Sequence, residues 1–326
     1  KELIKITPSE RQLKHQQMEF YAFVHFTVNT FTDKEWGDGT ENPAIFAPRK
    51  LDARQWARAV RDAGMTGLIL TCKHHDGFCL WPSRHTAHTV AASPWKGGQG
   101  DVVAETAEAC REYGLRFGVY LSPWDRHDPR YGTGKPYDDY FVAQLTELLT
   151  GYGDVFALWL DGACGEGANG KKQYYDWERY YETVRRLQPD CCIHICGPDV
   201  RWCGNEAGQT RPSEWSVVPA RTADTEKVAS LSQQSRLQIA DPAGNQTGQG
   251  TAVGGGLGGQ ILHQLHDLGG HLSAAAQDVG DGLPDDGEQG EQDEHGDKAP
   301  QAAAAHGNAL LLLELADGLA LLLLVV

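Results

Sequence analysis

Residues Thr66–Phe78 read TGLILTCKHHDGF. The first six form a short apolar run with the length of a buried strand, Thr66–Thr71. The run then breaks into Lys73, His74, His75 and Asp76. Such a cluster, where a strand leaves the core, suits a metal site, an acid/base pair or a loop that grasps a substrate. Just upstream, Leu51–Gly64 (LDARQWARAVRDAG) sets Leu51, Trp56, Val60 and Ala63 near one helical face and ends on glycine. Helix, strand and a polar strand end together make one βα repeat.

The same alternation runs outward from this stretch. Phe20–Phe26 (FYAFVHF) reads as a strand before it. After it come a helix over Asp101–Gly114, a strand over Leu115–Leu121 (LRFGVYL) and a helix over Tyr137–Leu149. A strand over Val155–Leu160 (VFALWL), a helix over Tyr174–Leu187 and short strands over Cys191–Cys196 and Glu214–Val218 follow. Near-continuous apolar strands separated by amphipathic helices predict a parallel α/β sheet covered on both faces. A doubly wound sheet and a (β/α)8 barrel share that pattern. Polar residues at one strand end after another select the barrel: His25, then Lys73–Asp76, then Trp124 and Asp125, then Asp161, then Asp199 and the loop to Glu206. No G-x-G-x-x-G follows the first strand, so the dinucleotide fingerprint is missing. Six strands precede the break described next, so closing a TIM-like barrel requires two more from beyond it.

That break is compositional. Every Phe, Trp, Tyr and Cys lies at or before Trp215, and beyond residue 230 the only Lys or Arg residues are Arg236 and Lys298. Runs such as GTAVGGGLGGQ and PDDGEQGEQDEHGD have little to bury. The domain expectation is therefore a catalytic barrel over 1–234 and an aberrant low-complexity region over 235–326, with an out-of-frame translation starting near Ser235 explaining it better than a disordered tail. The closing ALLLLELADGLALLLLVV is interrupted by Glu314 and Asp317, which speaks against a membrane span. The chain opens on Lys1, so its true start is expected upstream. The formal charge of -15 disfavours nucleic acid and anionic membranes as partners. Eight cysteines without paired CxxC spacing read as buried free thiols, which leans toward a cytoplasmic setting without excluding secretion. Oligomeric state is not legible.

The chemistry concentrates on carboxylates. Asp161 closes LWLDG; Asp-Gly is a common turn pair, but an acid directly after five apolar strand residues points into a barrel mouth. Glu206 sits in the glycine-flanked loop RWCGNEAG, bracketed by Trp202 and Trp215, an apolar setting that raises a carboxyl pKa. One ionised and one protonated carboxyl make the usual glycosidase pair. Adjacent histidines on a strand point to opposite faces, no HExxH accompanies His74 and His75, and Lys73 opposes a cation, so metal is the weaker reading. Neutral imidazoles, each with one donor and one acceptor, suit sugar hydroxyls. Trp36, Trp81, Trp95 and Trp124 could cover apolar sugar faces or sit in the core. No G-x-S-x-G elbow supports a serine nucleophile, and nothing nearby activates Cys164 or Cys203.

At these residues the sequence resembles the retaining α-L-fucosidases of glycoside hydrolase family 29, over roughly residues 5–234. The resemblance rests on FVHF, EWG, LTCKHHDGFCLWPS, GVYLSPWDRH, LWLDGACGEG, RWCGNEAGQTRPSEWSV and PARTADTEK, in that order. GNEAG looks more like the branch acting on α-1,3/1,4-linked fucose. The resemblance implies a fucosylated oligosaccharide as substrate, Asp161 as nucleophile and Glu206 as general acid/base, with Glu214 the runner-up. It implies that His25, Glu35, Trp36, His74 and His75 hold the fucose, that Trp124 lines the same pocket, and that no metal or organic cofactor is needed. Family members continue into two further strands, which the region after about Gln234 does not match.

Overall fold

The computed structural model describes residues 7–162, 165–195 and 197–200, together with the backbone of the strands at 309–315 and 319–325. The chain divides into two units, Lys1–Gly250 with Leu310–Val326, and Thr251–Ala309; apart from Ala309, the second lies outside the described residues. So do Glu206, Glu214, the tryptophans at 202 and 215, Cys164, Cys203 and the strand expected over 214–218.

The alternation read from the sequence is the alternation of the fold. A leading helix α1 (Glu10–Gln16) precedes β1 (Ala22–His25), α2 (Ala53–Asp62), β2 (Gly67–Lys73), α3 (Val102–Glu112) and β3 (Arg116–Leu121). Then come α4 (Lys135–Gly151), β4 (Val155–Leu160), α5 (Trp177–Leu187) and β5 (Cys192–Ile195). Local chemistry sets the boundaries. Asp52 caps α2 by accepting from Arg54 N at 3.0 Å and Gln55 N at 3.1 Å, and Asp101 caps α3 by accepting from Ala104 N at 2.8 Å. Each cap stabilises its helix by about 1 kcal/mol. Both helices stop where Gly64 and Gly114 turn to φ 81° and 71°, a conformation that glycine adopts without strain.

β1 to β5 are parallel neighbours, registered Phe23↔Ile69, Thr71↔Tyr120 and Trp159↔His194. One face of the sheet gathers Met18, Tyr21, Phe23, Ile69, Tyr120 and Ala157, with Phe156 and Trp159 packed against them. The opposite face carries the alternate residues, such as fully buried Leu68 and Leu70, and α2 and α3 pack on β2 and α3 also on β3. Burying each of those leucines contributes roughly 1.5–3 kcal/mol.

The far edge departs from the expectation of an all-parallel closing barrel. The strand order is β5-β4-β3-β2-β1-β7-β6, where β6 spans Ala309–Leu315 and β7 spans Leu319–Val325. β7 runs antiparallel to β1, with Phe23↔Leu324 and His25↔Leu322. Parallel neighbours need a crossover of a dozen or more residues, and the connector between β6 and β7 is far shorter than that. The closing segment therefore supplies a hairpin and not βα units. Among the described residues no helix is long and apolar enough to cross a membrane, and the described free cysteines, Cys72, Cys79, Cys110, Cys191 and Cys192, are all buried.

Candidate active site

The strand ends of β1, β2, β3 and β4 converge on one polar cluster. Tyr120, on β3, lies at its centre. Its ring stacks on His74 at 5.7 Å and 10°, meets His25 edge-on at 5.7 Å, and its hydroxyl donates to Asp161 Oδ2 at 3.2 Å. Asp161 follows β4 directly and is half-buried. Burial pushes its carboxyl pKa up, against the Tyr120 hydroxyl and the Gly162 N–H, which favour the ionised form.

His74 and His75 lie side by side, ring centroids 4.0 Å apart. β2 ends at Lys73, so the two histidines follow the strand and its alternation does not separate them. Lys73 and Asp76 are structural, as their buried partners show. Lys73 Nζ contacts Asp125 Oδ2 at 3.0 Å and Gln144 Oε1 at 2.9 Å. Asp76 accepts from Asn29 Nδ2 at 2.9 Å and from Phe78 N at 2.7 Å.

His75 Nδ1 lies 2.7 Å from Ser122 Oγ, and His25 Nδ1 lies 2.7 Å from Thr71 Oγ1. Trp124 covers His75 with centroids 5.0 Å apart, and Trp36 meets both rings edge-on at 5.8 Å. Trp36 is 47% exposed, so an apolar face is presented to solvent beside the histidines. Gly162 completes the wall. Its φ is 82°, and a Cβ there would strike His75 Cε1; the Asp-Gly pair is thus both a turn and the means of bringing His75 against Asp161.

The expected residues divide accordingly. His25, Trp36, His74, His75, Trp124 and Asp161 come together. Glu35 is exposed next to Trp36 and makes no hydrogen bond or ion pair with the described residues. Glu206 and Glu214 lie outside the described residues. Trp81 and Trp95 are core: Trp81 donates from Nε1 to Glu147 Oε2 at 2.9 Å, and Trp95 packs edge-on against Phe46 at 5.8 Å. Sequence reasoning missed Tyr120 and Ser122. Both sit in GVYLSPWD at the end of β3, and a tyrosine and a serine closing a buried strand were the available signal. Among the described residues no group of three His, Cys, Asp or Glu is arranged to hold a metal ion.

Burial holds the site histidines neutral. His25 falls to about 4 and His75 to about 3, the latter also through the charges of His25, Arg126 and Lys73; burial also lowers His74 well below its ordinary value. Away from the site, burial also lowers His15 and His88 to about 4, and His194 well below its ordinary value. Unfolding releases these groups to about 6.5, so the unfolded chain binds more protons between pH 6.5 and 4 and stability falls as pH drops through that window. Each histidine contributes about 1.4 kcal/mol per pH unit to the slope. Asp76, pushed up to about 7 by burial, opposes this below pH 7, as do Asp101, Asp138 and Asp161, which burial also raises. The six histidines outnumber these four carboxyls, so denaturant midpoints are expected to fall from pH 7 to 5; a midpoint that is flat or rises toward pH 5 contradicts this balance.

A family profile described as alpha-L-fucosidase matches residues 7–214. Alpha-L-fucosidase 1 of Arabidopsis thaliana is 47% identical over 223 residues, which are 67% of this chain and 44% of that protein. A solved glycoside hydrolase 29 family member from a rumen bacterium is 48% identical, with a TM-score of 0.62 over 69% of this chain and 43% of its own. A Ruminococcus gnavus GH29 fucosidase solved in complex with fucose is 32% identical, with a TM-score of 0.61 over 74% of this chain and 54% of its own. The chain thus spans less than half the length of the Arabidopsis relative.

Proposed function

Because the chain belongs to the α-L-fucosidase family, glycoside hydrolase family 29, we propose that it hydrolyses terminal α-linked L-fucose from oligosaccharides or glycoconjugates. One observation carries the reading. A half-buried carboxylate, Asp161, held by Tyr120, lies in a cluster of neutral imidazoles with Trp36 and Trp124 packed against His75. In this reading the carboxylate is the nucleophile and the imidazoles and indoles form a polar cradle with an apolar face.

In this reading Asp161 attacks the anomeric carbon while Glu206 protonates the departing glycosidic oxygen, giving a covalent fucosyl ester. Glu206 then takes a proton from water, which displaces Asp161 and returns fucose with its anomeric configuration retained. Glu214 is the alternative acid/base. A retaining pair needs its carboxyl groups about 5–5.5 Å apart. His25, His74 and His75 bind the hydroxyls, and Glu35, Trp36 and Trp124 shape the pocket. An incomplete (β/α)8-type barrel is the architecture that gathers these positions, with 1–234 as its first six βα units and 235–326 as an aberrant region. The GNEAG segment supports an α-1,3/1,4 preference.

Time-resolved proton NMR of 4-nitrophenyl α-L-fucoside hydrolysis tests the mechanism, and a Lewis-type trisaccharide tests the linkage. α-Fucose is expected as the first-formed anomer; β-fucose formed first contradicts a retaining mechanism. A second reading, a fucose-binding chain without turnover, is favoured by the compositional break after Gln234 and by the antiparallel β7 beside β1. L-Fucose binding with no hydrolysis of either substrate selects it. Sequencing the 3′ half of the gene tests the reading frame.

A further inference from the structure

We propose that Ser122 is a positioning residue that fixes His75 as the tautomer protonated on Nδ1, leaving Nε2 as a bare acceptor for a substrate hydroxyl; the inference rests on the sugar-binding reading of this site. The argument is one of proton counting. Ser122 Oγ lies 2.7 Å from the Trp124 carbonyl oxygen, which can only accept, so the serine hydroxyl donates there. A hydroxyl has one proton. The 2.7 Å contact between Ser122 Oγ and His75 Nδ1 must therefore use a proton on the imidazole. A neutral imidazole has one N–H, so Nε2 has none.

The backbone holds this relay rigid. Ser122 N donates to the Lys73 carbonyl at 3.0 Å and Arg126 N donates to the His75 carbonyl at 2.8 Å, tying the two strand ends together. Nε2 has no hydrogen-bond partner among the described residues, and it lies 3.0 Å from where a side chain on Gly162 would begin, beside Asp161. The two neighbours differ. Among the described residues Thr71 has no second acceptor, so its bond to His25 leaves either tautomer open, and buried His74 Nδ1 has no partner. His75 is thus the imidazole whose polarity the protein sets. It selects a hydroxyl that donates, and a fluorine in that position, which only accepts, is disfavoured.

The test is long-range nitrogen–proton NMR on the chain carrying ring-labelled histidine at pH 7, read with L-fucose binding and aryl-fucoside kinetics. The wild type is expected to show His75 unprotonated at Nε2. Ser122→Ala is expected to mix the tautomers and raise the fucose Kd and KM about three- to tenfold, the scale of one neutral hydrogen bond, with kcat little changed. Ser122→Thr, which keeps the hydroxyl, is expected to restore both. A bare Nδ1 in the wild type overturns the proposal, as does a Ser122→Ala protein with unchanged tautomer and fucose affinity. If Ser122→Ala does not fold, the wild-type spectrum and Ser122→Thr decide. Because the spectrum needs no turnover, a chain that neither binds fucose nor cleaves fucosides sinks the fucosidase reading while leaving the tautomer assignment to stand or fall separately.

Discussion

Asp161→Ala is expected to lower kcat for an aryl α-L-fucoside by roughly three orders of magnitude or more, the scale on which loss of a covalent nucleophile registers. The fold should survive. Asp161 is a half-buried carboxylate whose pKa burial has raised, so its ionised form is held at a cost and its removal is expected to leave the melting temperature unchanged or higher. Azide supplies a small substitute nucleophile in the vacated space, and β-fucosyl azide should accumulate. The wild-type pH profile carries the same signature. The nucleophile must be ionised, so activity falls on the acid side as pH drops through a pKa above the ordinary carboxylate range. Tyr120→Phe removes a hydrogen bond that favours the ionised form, so that acid limb should move to higher pH. Undiminished turnover in Asp161→Ala, or an acid limb in Tyr120→Phe displaced to lower pH, sinks the assignment.

The sequence showed where strands end more readily than what meets there. The predicted strand Val155–Leu160 has the observed bounds, because its apolar run stops at an acid and a glycine that cannot continue it. The predicted helix over Tyr137–Leu149 begins earlier, at Lys135, because Pro136 suits the first turn of a helix and sequence periodicity does not register that. His25, His74, His75 and Asp161 were legible as chemistry because polar residues at the ends of buried strands have few structural excuses. Tyr120 and Ser122 were not. A tyrosine in LRFGVYL counts as strand propensity and a serine before proline counts as a turn; only the parallel register Thr71↔Tyr120 brings them to the histidines. The antiparallel strand on β1 was also illegible, because LALLLLV fits a strand in either direction and the long chain between β1 and β7 permits both.

Lys73→Met is expected to destabilise the chain by about 3–5 kcal/mol, because it strands a buried carboxylate without its partner. Neither Lys73 nor Asp125 has any exposed side-chain surface. The ammonium also lies over the rings of Tyr140 and Phe141, at 5.2 and 5.5 Å. Asp125 Oδ1 accepts from His127 N at 3.0 Å and Asp128 N at 2.8 Å. Burial alone would push the Asp125 pKa up; Lys73 and these amides hold it below the usual carboxylate value. Without Lys73 that pKa rises, so the cost is fully present at neutral pH and shrinks as acid protonates the stranded group. The gap between Lys73→Met and wild type should therefore narrow from pH 8 to 5 in denaturant titrations. Lys73→Met combined with Asp125→Asn should recover much of the loss, since removing both charges also removes the desolvation cost. A pH-independent gap, or a double variant as unstable as the single one, contradicts the account. The pair matters to the site as well as to the fold. Lys73 immediately precedes His74 and His75, and Asp125 immediately follows Trp124, so one ion pair sets the distance between the imidazoles on one strand end and the indole and Ser122 on the next. The double variant should then fold but bind fucose more weakly than wild type, separating what the ion pair does for stability from what its geometry does for the pocket.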